Sequence, residues 1–173
     1  MRKLLLLFLA GLMILLGPAS SAFAGVGGLR FRYDPADRPS SVLDIEWVAT
    51  AQATRNSRFV VDFYNDITQN DLDISQRNYA GIKLDTKNDK RADREIRMYY
   101  DPGQGRWECA VLHWADRSPI GFRPLFAYDG ADDLFCTVRT NWLNIRKEVR
   151  FLVAGFWFNY RDFAPNRGVY KGL

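Results

Sequence analysis

The chain is poor in the residues on which most enzymes depend. Among its 173 residues there is one histidine, His113, and only two cysteines, Cys109 and Cys136. A single imidazole excludes most Ser-His and Cys-His arrangements unless His113 itself is the base, and no GxSxG, HExxH, CxxC or phosphate-cradling glycine loop occurs. A glycosidase can run on two carboxylates alone, but a sequence does not show which pair faces across the roughly 5 to 10 Å such chemistry needs. Two cysteines and one histidine also make a poor ligand set for zinc. The expectation is a protein that binds rather than catalyses.

Long apolar runs are equally scarce. The one of any length, Leu4 to Leu16, follows Arg2 and Lys3 and precedes Ala22-Phe23-Ala24, the small-x-small pattern a signal peptidase reads. Residues 1–24 are therefore expected to be a cleaved signal peptide, leaving residues 25–173 as a single exported domain with no transmembrane anchor. No cysteine stands near the cleavage point to take a lipid. The expected location is extracellular or periplasmic, an oxidising setting in which Cys109 and Cys136 would form a structural disulfide.

Charge of one sign does not dominate. Residues 25–173 hold 22 basic against 20 acidic side chains, a net charge of +2, with both signs interspersed. No basic stripe forms the footprint of a nucleic-acid binder.

Aromatic and β-branched residues recur in short segments divided by Asp, Asn, Gly and Pro, which is the rhythm of strands and turns. The reading is all-β, a single antiparallel β-sandwich of about seven to nine strands. Leu43 to Ala49 alternates, with Leu43, Ile45 and Trp47 on one face, and Arg58 to Tyr64 follows. Asn65 to Asn78 reads as a long surface loop. Pairing Ile82 with Ile96 sets Lys83 opposite Glu95, and pairing Met98 with Cys109 keeps Glu108 off the apolar face. Pro124–Tyr128 and Asp133–Thr140 pair around Asp129-Gly130, Trp142 to Ile145 is a helical turn, and Glu148 to Asn159 is a long strand covered on both faces.

The run Leu84-Asp85-Thr86-Lys87-Asn88-Asp89-Lys90-Arg91-Ala92-Asp93, leading into Arg94-Glu95-Ile96-Arg97, resembles the strand, acidic loop and strand of uncharacterised secreted bacterial β-sandwich proteins. These are similar to the family-9 carbohydrate-binding module and DOMON group. The resemblance extends through Tyr99-Tyr100, Phe135–Leu143 and the Asp162-x-Ala-Pro-Asn166 turn. It implies a β-sandwich and a carbohydrate or cell-surface ligand, although one sandwich architecture hosts many roles.

Three sets of residues carry the functional expectation. Asp85, Asp89 and Asp93 fall at the first, fifth and ninth places of a calcium loop, but Lys87 stands at the third, Lys90 at the sixth and Ile96 at the twelfth, so the alternative is a solvated turn closing a hairpin. Tyr79, Tyr99 and Trp114 are the aromatics offered to a sugar, each set against an ordinary packing role. Haem ligation by Met98 and His113, which the resembled group makes relevant, is disfavoured because the strand register separates them by about 13 Å. The leading expectation is a secreted carbohydrate binder. The alternative is a structural or protein-interaction domain of the cell envelope without a small ligand.

Overall fold

The computed structural model describes residues 30–33, 43–87, 89–127, 131–145, 150–157, 160–164 and 170–171, with side chains described within 43–145. The segment expected to be a signal peptide, its expected cleavage point, the Asp129-Gly130 turn and residues 165–168 of the closing turn lie outside these.

Eleven strands account for nearly all of the regular structure: β1 (Arg30–Tyr33), β2 (Ile45–Gln52), β3 (Asn56–Ile67), β4 (Tyr79–Asp85), β5 (Arg94–Asp101), β6 (Arg106–His113), β7 (Pro119–Phe126), β8 (Ala131–Arg139), β9 (Arg150–Trp157), β10 (Tyr160–Ala164) and β11 (Tyr170–Lys171). A 3-10 turn at Ile74–Gln76 and one helical turn, α1 (Thr140–Leu143), complete the described elements. The all-β expectation holds. No described helix is long and apolar enough to cross a membrane.

The strands form one antiparallel path, β1-β2-β3-β8-β7-β6-β5-β4-β9-β10, with β11 on β9. Strand β7 is the link. Its residues from Pro119 to Pro124 pair with β6, whereas only Leu125 and Phe126 pair with β8, so the chain changes partner within one strand. The sheet curls there, and at the far end β2 approaches β9 and β10. The inner faces of both arms meet in a single core: Val48, Phe59, Val61 and Phe63 from β2 and β3 pack with Ile82, Leu84, Ile96, Met98 and Val111 from β4, β5 and β6. Period-two alternation puts these residues inward and their neighbours outward.

Cys109 on β6 is bonded to Cys136 on β8, with Cα atoms 6.1 Å apart and no free cysteine remaining. The bridge spans the strand at which the sheet folds, tying the two arms together inside the core. The hairpin registers are those the side-chain faces require: Ile82 opposite Ile96, Lys83 opposite Glu95, Met98 opposite Cys109, and Tyr100 opposite Trp107. Strand β9 lies between β4 and β10, an interior place in the sheet.

Three expectations are corrected. A register shift between Ile45 and Trp47 turns Trp47 away from the face of Leu43 and Ile45; it packs instead against Ala49, Ala51 and Val60 on the outer side. The supposed surface loop 65–78 is anchored. Strand β3 continues to Ile67, Ile67 and Leu72 are fully buried, and the Tyr100 N–H donates to the Leu72 carbonyl at 2.9 Å. Finally, Tyr160–Ala164 is a strand on β9, where the sequence suggested the beginning of a turn.

Candidate functional site

Tyr79, Tyr99 and Trp114 lie on or beside the outer surface formed by β4, β5 and β6, but that surface is covered by charged side chains. Tyr99 is only 6% exposed, and its hydroxyl donates to Glu108 Oε2 at 3.3 Å. Burial, reinforced by the adjacent Glu108 charge, pushes its pKa up to about 12. Of the two roles weighed for Tyr99, sugar contact and packing, its surroundings are those of packing. Ile74 from the 3-10 turn and Tyr79 pack against the cluster of Tyr99, Ala110 and Leu112.

Tyr79 and Trp114 are half-buried beneath cations. The Arg97 guanidinium lies 4.5 Å from the centroid of Tyr79, while Arg117 sits 3.4 Å and Lys83 4.9 Å from that of Trp114. One carboxylate organises the layer. Glu95, 1% exposed, accepts from Arg97 at 2.9 Å and from Arg117 at 3.0 Å. Arg117 reaches it from a left-handed backbone conformation, φ 61°. The ring faces a sugar would stack on are thus taken by guanidinium groups held from below.

The calcium-like loop does bring its three carboxylates together. Oxygens of Asp85, Asp89 and Asp93 lie within 4.8 Å of one another. They are engaged in closing the β4–β5 hairpin. Asp85 accepts from the N–H groups of Asp89 and Lys90, and Asp93 accepts from Thr86, from the Lys87 N–H and from Lys87 Nζ at 2.7 Å. Burial alone would raise the Asp93 pKa, but the Lys87 contacts and the Thr86 bond outweigh it and hold the carboxyl below its usual value. Lys87, which breaks the calcium pattern at the third place, supplies the positive charge itself.

A second acidic group was not visible in the sequence. Strand β3 pairs with β8 so that Asp62 faces Asp133, and the register break beside them brings Asp132 within the same 4.8 Å. Burial, and then the charge of Asp132, raises the Asp133 pKa from 3.8 to about 6. A carboxyl whose folded pKa is raised destabilises the ionised fold, so stability is fully present below 3.8, declines as pH rises to 6 and stays lower above it. Asp133 is half-exposed, and solvent screening reduces the effect to about 1 kcal/mol. Asp133→Asn is expected to gain that amount at neutral pH and to flatten the decline, which urea unfolding on either side of the window measures.

The third group lies where β7 leaves β8. The Trp142 ring on α1 rests against Gly121, so closely that a Cβ there would lie 2.6 Å from it, which is why glycine stands at 121. Arg123 and Arg139 sit 5.3 and 5.6 Å from the centroid of the same ring, and Arg94 Nε donates to the Trp142 carbonyl at 3.3 Å. On the opposite face of β7, Phe122 is 51% exposed, the one exposed large hydrophobic side chain among the described residues.

Comparison with family models, curated proteins and solved structures gives no match. His113 lies across from Arg94 and is exposed, whereas Met98 is buried in the core.

Proposed function

We propose that the protein is a non-catalytic interaction domain of the cell envelope, exported by the N-terminal segment and built as a disulfide-clasped sandwich whose layers are the two arms of one curled sheet. The observation that carries this reading is a contrast along one outer sheet face: over β4, β5 and β6 the aromatic rings are capped by arginines, whereas Phe122 of β7, on the same side of the sheet opposite Ala110, stands exposed beside a stretch of strand that pairs on one side only. Exposed apolar residues at an open edge suit a partner that supplies backbone as well as side chains.

A carbohydrate ligand is the second reading. It is favoured by Tyr79 and Trp114, two half-buried rings at one sheet surface, should a glycan displace Arg97 and Arg117 from them. Retention of the purified protein on a panel of soluble and insoluble polysaccharides, with calcium and with chelator, separates the two. The interaction reading predicts no retention that the Trp114→Ala variant abolishes. Retention lost in that variant would establish the carbohydrate reading instead, and retention lost in chelator would make Asp85, Asp89 and Asp93 a working calcium site.

A further inference from the structure

We propose that the open edge of β7 binds an extended polypeptide segment in which acidic and apolar residues alternate, the acidic ones meeting Arg123 and Arg139 around Trp142. This deepens the interaction reading and rests on it. Residues 119–124 of β7 have β6 on one side and, among the described residues, no strand on the other. An antiparallel edge presents alternate N–H and C=O groups outward, which an added strand satisfies.

The chemistry flanking the edge differs between its faces. Phe122 projects on one, opposite Ala110, while Gly121 and Arg123 belong to the other, opposite Val111 and Cys109, where Trp142 and Arg139 also lie. A strand laid here would send successive side chains to opposite faces, one toward Phe122 and the next toward the arginines. Among the described residues no carboxylate pairs with Arg123 or Arg139. The Trp142 ring positions their guanidinium groups, and these are the charges that the acidic residues of the proposed segment would meet. The edge is also short. Pro119 and Pro124 lack N–H groups, and the register shift opposite Leu112 bends its start, so it admits a brief segment and resists indefinite strand addition.

The test uses the purified protein and a fluorescein-labelled synthetic peptide of alternating Glu and Val. A Lys-Val peptide, a Glu/Val peptide of the same composition in two blocks, and heparin serve as competitors. The Glu-Val peptide is expected to bind with loss of amide exchange at residues 120–123, to be displaced poorly by the other three, and to bind at least about tenfold more weakly to the Arg123→Gln/Arg139→Gln variant than to Arg55→Gln. Phe122→Ser provides a second variant with the same direction of change. Absence of peptide binding, equal affinity in the double variant and Arg55→Gln, or displacement by heparin with residues 120–123 unprotected would overturn the proposal. The interaction reading would survive that failure if a cross-linker at position 122 still captured a polypeptide, and it would itself fall if Trp114 held a polysaccharide.

Discussion

The Cys109→Ser/Cys136→Ser variant is expected to lose about 3 to 4 kcal/mol of unfolding free energy. The bridge joins residues 27 apart in sequence, and cross-linking a loop of that length removes conformational freedom chiefly from the unfolded chain. Its position adds a structural reason. Strand β7 holds β8 through only two residue pairs, so the disulfide is the strongest link between the arms at the fold line. Denaturant unfolding of the oxidised protein, the reduced protein and the variant measures the difference. A loss below about 1 kcal/mol would mean that the shared core alone fixes the two arms, and two free thiols in a non-reducing mass measurement would remove the premise.

The second large effect is expected at Glu95. Its carboxylate is buried and holds two guanidinium groups that are each partly exposed, 22% and 40%. Glu95→Ala leaves Arg97 and Arg117 crowded together without their counter-charge and opens space beneath them. The expected loss is about 3 kcal/mol, at the lower end for a broken buried pair because water reaches both arginines. Glu95→Gln keeps an acceptor of the same shape and is expected to lose about half as much. Near-wild-type stability in both variants would show that the rings of Tyr79 and Trp114, rather than the carboxylate, keep the guanidinium groups in place. An intermediate value for glutamine separates the charge from the packing.

What the sequence made legible was local and periodic. Ile82 with Ile96 and Lys83 with Glu95 give both faces of one hairpin at once, and a one-residue slip would expose the apolar set and bury the charged one. The pairing of Cys109 with Cys136 followed from their even count and the expectation of an oxidising compartment. What escaped depends on structure between distant segments. The turn of Trp47 to the outer face comes from a single register shift, which alternation cannot show. Leu72 is drawn into the core by the strand edge at Tyr100, not by any pattern in its own segment. Alternation places Tyr99 and Arg97 on one face, but only the folded β6–β7 connection brings Arg117 over Trp114 and onto Glu95. Asp62 and Asp133 become neighbours through the β3–β8 pairing, between residues 71 positions apart. The gathering of Arg94, Arg123 and Arg139 around Trp142 likewise needs four elements, β5, β7, β8 and α1, and its one local trace is a glycine at 121 where the ring lies.

The measurement that most directly tests the assignment of the contact surface is photocross-linking in the producing cell, with a benzophenone side chain placed at position 122 in one variant and at position 114 in another. A polypeptide adduct formed from position 122, and none from position 114, is the predicted result. A glycan adduct, or a polypeptide adduct from position 114 alone, would contradict the account and move the functional surface along the same sheet face, from β7 to the arginine-covered part over β4, β5 and β6.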